Sequence, residues 1–192
     1  MSSSLLPITY RSILGVALPM MVSGFIQSIV LITDSAFISR YSVAGFDAVG
    51  NAGLAYITFY MMLLGMSDGA QILMARRIGE SREDQLGRIL NATWVILGIL
   101  AVIFFTILTL FIPSWISAYS RNQEVASLQG EFIRHRSFAL FFSMITLGFQ
   151  AFYLARGKSW VVLVAALITA STNILFDYLL IFGIGVFPEM GV

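Results

Sequence analysis

The sequence predicts an all-α membrane protein, a polytopic bundle of about five transmembrane helices, and three observations lead to that fold class. Apolar residues make up 58% of the 192 residues and charged residues only 11%, whereas soluble globular proteins carry about 25% charged residues. The apolar residues form long uncharged runs, each able to cross roughly 30 Å of hydrocarbon as a helix. The alternation over about ten residues that spanning β-strands show is absent. Helices satisfy their backbone hydrogen bonds inside lipid, so a helical bundle follows.

The first predicted span is uncharged over residues 12–33, and the second over residues 48–67. The third is apolar to beyond Phe111, where Pro113 is expected to end the helix. The fourth follows the basic segment that ends at Arg136, and the fifth follows Lys158. With these limits extended to the nearest polar segments, the five spans are residues 12–39, 48–75, 89–112, 137–155 and 159–187.

Basic residues in the loops predict the orientation, because cytoplasmic loops carry an excess of Lys and Arg. One side holds Arg11, Arg76, Arg77, Arg82, Arg88, Arg156 and Lys158, and the other holds Arg40, Arg121, Arg134 and Arg136. The N-terminus is therefore expected in the cytoplasm, in a multi-pass protein of the plasma (inner) membrane. Residues 1–192 end in a loop-like Pro- and Gly-containing segment after an odd number of spans. This ending suggests an incomplete N-terminal lobe of a longer protein.

Composition also excludes several functions. The net charge of +1 offers no basic face for nucleic acid. With no Cys and a single His, disulfides, Cys nucleophiles and Cys- or His-rich metal sites are excluded as well. His135 stands between two arginines at the start of the fourth span, where a solvated interfacial role is expected.

Three acidic residues fall within the predicted spans, where an ionised side chain costs about 2.5–3.5 kcal/mol at the centre of the bilayer. Asp34 lies in the outer half of the first span and Asp177 in the outer half of the fifth. Both spans run outward, so the two carboxyls are expected at similar depth and could share one site. Asp68 lies near the inner end of the second span, where pairing with Arg76 or Arg77 is the favoured interpretation.

Polar neighbours extend these two positions into stripes. Thr169, Asn173 and Asp177 are spaced by four and lie on one helical face, with Thr172 beside them; Ser23, Gln27 and Asp34 share a face of the first span. Burial and a neighbouring carboxylate both disfavour the charged form of Asp. Such a pair can hold a proton, or can bind Na⁺ with Asn173 and hydroxyl groups. The alternatives are that Asp34 pairs with Arg40 at the interface and that Gln27 joins helices by a hydrogen bond.

Small residues and a proline predict features of packing and shape. The pairs Gly65 with Gly69 and Ala166 with Ala170 have the small-xxx-small spacing of close helix contacts. Pro19, inside the first span, predicts a kink or local unwinding of the helix that carries Asp34.

Several segments together resemble one family, the multidrug and toxic compound extrusion (MATE) transporters, in its DinF-like branch. These segments are Ala17-Leu18-Pro19 with Gln27 and Thr33-Asp34-Ser35; Gly65-Met66-Ser67-Asp68-Gly69-Ala70-Gln71 with Ala75-Arg76-Arg77-Ile78-Gly79; Phe152-Tyr153-Leu154-Ala155-Arg156-Gly157-Lys158; Asn173-Ile174-Leu175-Phe176-Asp177-Tyr178 with Ile181-Phe182-Gly183; and Pro188-Glu189-Met190-Gly191-Val192. The resemblance covers nearly the whole chain in the expected order.

The resemblance implies five helices of a six-helix N-terminal lobe in a twelve-helix antiporter. It implies export of cationic or amphipathic compounds in exchange for H⁺ or Na⁺, with no cofactor besides the coupling ion. Asp34, Asn173 and Asp177 match the positions of the family's N-lobe cation site, which would make them the ligands of a Na⁺. The expected partners are these small molecules, the lipid bilayer and a C-terminal lobe of the same chain.

Two other functions are open to such a chain. A flippase of lipid-linked precursors has a related architecture, but it is expected to carry cationic residues that meet phosphates, and the predicted spans contain no Lys or Arg. An intramembrane aspartyl protease could use Asp34 and Asp177 as a catalytic dyad, although neither residue lies in a motif resembling those enzymes. A secondary transporter rather than an enzyme is therefore the favoured prediction.

Overall fold

The computed structural model describes residues 9–120 and 122–183, and these residues are helical with short connections and no strand. Arg121, the last residues of the fifth predicted span (184–187) and the segment 188–192 lie outside the described residues. The α-helices are α1 (Tyr10–Tyr41), α2 (Val43–Gly79), α3 (Leu86–Thr106), α4 (Ile112–Tyr119), α5 (Gln123–Ser137), α6 (Ala139–Ala155) and α7 (Ser159–Ile181). A 3-10 turn (Glu83–Gln85) precedes α3, and a π-helical segment (Ile107–Phe111) joins α3 to α4.

Four helical stretches in the described part are long and apolar enough to cross a membrane. They are residues 10–41, 45–79, 83–119 and 159–181. The pair α5 and α6, bent by 42° relative to each other, makes a fifth crossing if it is counted as one broken span. The predicted fold class, an all-α bundle of about five spanning helices, is confirmed.

A single residue connects α1 to α2. Ser42 is extended and serves both as the C-cap of α1 and as the N-cap of α2, where its Oγ accepts a hydrogen bond of 3.0 Å from the backbone N–H of Gly45. Ser is a favoured N-cap because its hydroxyl satisfies an unpaired N–H of the first turn. The second helix therefore begins at Val43, five residues before the predicted start of its span.

The third span does not stop at Pro113, contrary to the sequence-based expectation. The chain passes from α3 through the π-helical turn into α4, where Pro113 occupies the first turn and needs no backbone N–H donor. A proline is tolerated at such a position because the N–H that it lacks would have no intrahelical partner. The helical path continues to Tyr119, and α5 follows from Gln123.

The core lies where α2, α3, α5 and α6 meet. Leu63, Leu97, Ile133 and Leu147 are almost fully buried there. Inside this apolar core the hydroxyl of Ser67 donates a hydrogen bond of 2.8 Å to the carbonyl oxygen of Leu147 and so joins α2 to α6. The end of the bundle at the α1–α2 connection is called the Ser42 end below.

The opposite end, called the Glu83 end, is marked by an ion pair between two loops. Arg156 Nη2 lies 3.1 Å from Glu83 Oε2, which brings the α6–α7 connection beside the α2–α3 connection. Gly157 forms the turn after α6 with a φ of 68°, a left-handed conformation that suits glycine at a helix C-terminus. The helix α7 then runs back toward the Ser42 end.

Candidate functional site

The helices α1 and α7 pack side by side and run in the same direction. Near the Glu83 end, Ser159 Oγ donates a long hydrogen bond of 3.5 Å to the carbonyl oxygen of Gly15. Near the Ser42 end, the ring of Phe37 packs on those of Tyr178 and Phe182, with centroid distances of 6.1 and 5.8 Å. The two helices therefore keep one register over most of their length, and positions of similar depth face each other.

Asp34 and Asp177 meet within this helix pair. Their side chains are half-buried, and their carboxyl groups lie within hydrogen-bonding reach of each other. Two carboxyl groups in such contact hold the pair together only when they share a proton or bind a cation between them, since two bare carboxylates repel each other. The structure thus brings together the two acids that the sequence suggested could share a site.

Two oxygen atoms in this region are buried without a hydrogen-bond partner among the described residues. They are Oδ1 of Asp34 and Oδ1 of Asn173, which lies one turn before Asp177 on α7. A buried acceptor without a donor costs about 1–3 kcal/mol, and such groups in native proteins call for a specific explanation. A proton or a hard cation supplies the positive partner that these oxygen acceptors lack.

The remaining predicted site residues lie on the surface and do not contact the acidic pair through hydrogen bonds. Gln27 on α1 and both Thr169 and Thr172 on α7 are exposed on the surface of the described chain. They lie on the same two helices as the acidic pair, but the structure gives them no hydrogen bond to it. Their part in a cavity or ion site stays a prediction.

The local unwinding that one alternative predicted at Pro19 is not found, because α1 is continuous from Tyr10 to Tyr41. Side-chain hydroxyls bond the backbone carbonyls around the proline instead, Ser23 within α1 and Ser159 from α7. Ser23, which is buried, donates its hydroxyl hydrogen to the carbonyl oxygen of Pro19 at 2.7 Å, a bond that bends helices slightly. The other alternative, a kink in a continuous helix, stays a prediction, as does a conformational role for Pro19.

Arg136, which the sequence placed on the outer side, stands in the last turn of α5, and its guanidinium carbon lies 5.1 Å from the ring centroid of Tyr56 on α2. No ion pair joins Arg136 to a carboxylate in the described part of the chain. In the sequence, the signal for this contact is the position of Arg136 directly before the fourth span. The ion pair between Asp34 and Arg40 that the sequence left open is not found among the described residues.

Other sequence-based interpretations change as well. Arg76 and Arg77 both bind Glu80, with N–O distances of 2.9 and 2.7 Å, and Asp68 is exposed without an ion pair in the described part. The pairing suggested for Asp68 was therefore wrong, because a Glu three and four residues away on the same helix end lies closer to both arginines. His135 is exposed, as expected, and its Nδ1 bonds the carbonyl oxygen of Glu131 at 3.0 Å.

The two pairs of small residues differ in their surroundings. Ala166 and Ala170 are buried on α7. No heavy atom outside its own helix backbone and chain neighbours lies within 4 Å of a Cβ added at Gly65 or Gly69. These glycines instead line an apolar groove of about 430 Å³ between α2 and α3, apart from the acidic pair. The expected helix contact at Gly65 and Gly69 is thus absent from the described residues.

The chain resembles known proteins in both sequence and fold. The MatE family model matches residues 19–179. The chain is 28% identical over 184 residues to the probable multidrug resistance protein NorM of Thermotoga maritima, a match covering 95% of this chain and 39% of that protein. It is 21% identical over 189 residues to the probable multidrug resistance protein YoeA of Bacillus subtilis, covering 97% of this chain and 40% of that protein.

Solved structures share the fold. One is described as a transporter of the MOP superfamily from Pyrococcus furiosus whose binding pocket has reverse polarity, and it matches with a TM-score of 0.85 at 19% identity over 92% of this chain and 39% of that one. A second, an outward-facing multidrug resistance MATE transporter, matches with the same TM-score of 0.85 at 19% identity and the same coverage of 92% and 39%. The chain thus spans about two fifths of the length of these proteins. With a family model that matches most of its length, the chain belongs to the MatE family of multidrug and toxic compound extrusion transporters.

Proposed function

We propose that this chain provides the cation-coupling site of a multidrug efflux antiporter that exchanges its substrate for H⁺ or Na⁺. Members of the family are multi-pass membrane proteins and secondary transporters, not enzymes, with small molecules as substrates. The observation that carries the proposal is the pair of buried, unpartnered oxygens of Asp34 and Asn173 beside the carboxyl of Asp177. Carboxylate and amide oxygens are hard ligands that suit an alkali cation, and two adjacent carboxyls suit a shared proton.

Coupling follows from competition between the ion and the substrate. A cationic substrate is favoured near the pair while it carries negative charge. Entry of H⁺ or Na⁺ lowers the negative charge of the pair, weakens that attraction and brings the two carboxyls together, which changes how α1 packs on α7. A ligand shifts a conformational equilibrium only by its difference in affinity between the two states, so ion and substrate must each favour a different one. Alternating access would then result.

The remaining features of the proposal concern the whole transporter. The chain would work together with a C-terminal lobe, and cationic or amphipathic compounds would bind between the two lobes. The Ser42 end would face outward and the Glu83 end the cytoplasm, because most of the basic loop residues lie at the Glu83 end. The membrane would be the plasma (inner) membrane. Within the site, two carboxyls favour a cationic cargo over a phosphate-bearing lipid precursor.

The test is efflux of a cationic dye from cells or vesicles that contain the complete native protein with this sequence. Asp34→Asn and Asp177→Asn should each lower ion-driven efflux at least about tenfold, the scale of losing one charge-assisted ligand. Asp47→Asn is the matched control, because Asp47 is an exposed acid on α2. Efflux and ion dependence that survive both site substitutions would refute the proposal.

A further inference from the structure

The apolar groove of about 430 Å³ between α2 and α3, called the α2–α3 groove, lies open on the surface of the described chain. Its volume falls within the range of small-molecule sites, about 300–1,000 Å³. Gly65 and Gly69 line it from α2, and a Cβ added at either would meet no heavy atom within 4 Å outside its own helix backbone and chain neighbours. Thr93 lines it from α3, and its hydroxyl donates within the helix to the carbonyl oxygen of Ile89 at 2.8 Å. With that hydroxyl satisfied, the groove suits an apolar ligand.

The groove extends along the two helices from the Glu83 end. Arg88, in the first turn of α3, lines it nearest that end, and the buried Leu97 lines it nine residues further along the same helix. Nine residues of α-helix span about 14 Å, which is close to half of the roughly 30 Å thickness of the hydrocarbon layer. Both helices belong to stretches that are able to cross a membrane. The groove therefore matches the depth of one leaflet and the direction of its acyl chains.

Arg88 places a positive charge where the groove meets the Glu83 end. Its side chain is exposed, and it forms no ion pair in the part of the chain that the structure describes, not even with Asp84 four residues earlier. Glu80 and Glu83 pair with other arginines instead. A guanidinium can bind a phosphate group through two parallel hydrogen bonds, and basic pockets between membrane helices bind anionic lipid headgroups.

We propose that the α2–α3 groove binds an anionic phospholipid of the leaflet at the Glu83 end, with one acyl chain along Gly65 and Gly69 and the headgroup phosphate on Arg88. A free anion would use Arg88 and leave the apolar groove empty, whereas a lipid without net charge would use the groove and gain less from the arginine. The inference goes beyond the proposed function, because the groove lies apart from the acidic pair and the lipid needs neither Asp34 nor Asp177.

The experiment measures lipid binding by the complete native protein in detergent. Native mass spectrometry follows titrations with phosphatidylglycerol, which is anionic, and with phosphatidylcholine, whose choline balances the phosphate charge. The variants are Arg88→Gln and Gly69→Leu. The control Arg82→Gln removes a charge from the same end of the bundle but outside the groove. The control Gly50→Leu adds the same side chain at an exposed position of α2 outside the groove, where a Cβ likewise meets no atom within 4 Å.

The two variants are expected to lose lipid in different ways. Arg88→Gln should weaken phosphatidylglycerol binding about fivefold and leave phosphatidylcholine unchanged, since one basic residue near a membrane surface contributes about 1 kcal/mol. Gly69→Leu should weaken both lipids about tenfold, because its side chain takes the space and the van der Waals contacts of the acyl chain. Both controls should bind like the unmodified protein. Equal effects of Arg88→Gln and Arg82→Gln, or phosphatidylglycerol binding that survives Gly69→Leu, would overturn the proposal.

Photo-crosslinking identifies the occupant of the groove without a change at Arg88 or Gly69. Ile96, an exposed groove residue, is replaced as Ile96→benzoylphenylalanine, and the protein is irradiated in vesicles of equal parts phosphatidylglycerol and phosphatidylcholine. A mass increase that matches phosphatidylglycerol in clear excess supports the proposal. Equal labelling by the two lipids would overturn it, and so would a cross-link to a C-terminal lobe or to a second copy of the chain. None of these measurements uses transport, so failure of the ion-coupling proposal would leave the lipid site standing.

Discussion

The Oγ of Ser159, the first residue of α7, donates its hydrogen bond to the carbonyl oxygen of Gly15 on α1, at 3.5 Å. That carbonyl is four residues before Pro19, and a proline has no N–H to bond the carbonyl at this spacing. The oxygen would otherwise lack a donor inside a packed helix pair. Ser159, only 1% exposed, thus supplies from α7 the bond that Pro19 removes from α1.

This relationship predicts a coupling between the two positions. Ser159→Ala should lower the free energy of unfolding by about 1 kcal/mol, the usual net value of one hydrogen bond. In a Pro19→Ala background the residue at 19 regains an N–H for the Gly15 carbonyl, so Ser159→Ala should then cost much less. Thermal unfolding of the four proteins in detergent gives the double-mutant cycle. Additive losses would show that the serine does not compensate for the proline.

A second prediction concerns the contact between α3 and α6. A Cβ added at Gly148 would overlap the Nε1 atom of Trp94, whose ring also packs on Phe149 with centroids 5.0 Å apart. Gly148→Ala must therefore displace the half-buried indole, at a cost of about 1–3 kcal/mol, as for other overpacked sites.

The control is Gly98→Ala on α3. There the added Cβ would lie 3.5 Å from Met144 Sδ, which is ordinary van der Waals contact. We expect Gly98→Ala to be neutral or slightly stabilising, because alanine is the better helix former. The melting temperatures of Gly148→Ala and Gly98→Ala are compared by thermal unfolding monitored with tryptophan fluorescence. Equal melting temperatures for Gly148→Ala and the unmodified protein would contradict the proposed contact.

A third prediction is a pH dependence at the Glu83 end. Hydrogen bonds from Arg77 and Arg76 hold the pKa of Glu80, just beyond α2, below its ordinary value of 4.5. A lowered pKa means that the charged form is stabilised by folding. The contribution is therefore present above pH 4.5 and is lost as the pH falls through the lowered pKa.

Melting temperatures of the unmodified protein and of Glu80→Gln, compared between neutral and acid pH, measure this effect. Glu80→Gln should melt slightly lower at neutral pH, and the difference should shrink as the pH falls below 4.5. The difference should be small, because the pair is largely solvated. A gap that stays constant through the acid range would show that the arginine contacts contribute no stability through Glu80.

Much of this fold could be predicted because lipid imposes a simple rule on sequence. Uncharged runs of about twenty residues must be helices, and an acid inside such a run must have a reason. Those two rules were enough to place Asp34 and Asp177 on parallel helices at similar depth. The predicted helix ends that were wrong depend on local hydrogen bonds. A single Ser42 caps two helices, and a π turn carries the chain past Pro113.

Arg136 shows why some tertiary contacts could not be predicted. Counting charges by loop placed it on the outer side, before the apolar run of the fourth span, but did not indicate its contact with Tyr56. Its position depends instead on α5 packing against α2, a tertiary contact that brings the last turn of a polar helix to Tyr56. A long side chain such as arginine also reaches several ångströms from its backbone. Sequence spacing alone shows neither the contact between α5 and α2 nor the reach of the arginine side chain.

The last prediction concerns Asn173, whose amide oxygen is buried and unpartnered one turn from Asp177. If that oxygen is a ligand of the coupling ion, Asn173→Ala should weaken Na⁺ binding about tenfold, equivalent to about 1.4 kcal/mol, while both acids remain. Proton uptake should change less, because a proton is held by the carboxyls alone. Asn51→Ala is the matched control, since Asn51 is an exposed asparagine on α2 whose Nδ2 bonds the carbonyl oxygen of Asp47 at 3.1 Å. Equal Na⁺ affinities for the two variants would remove Asn173 from the site and leave the cation to the acidic pair alone.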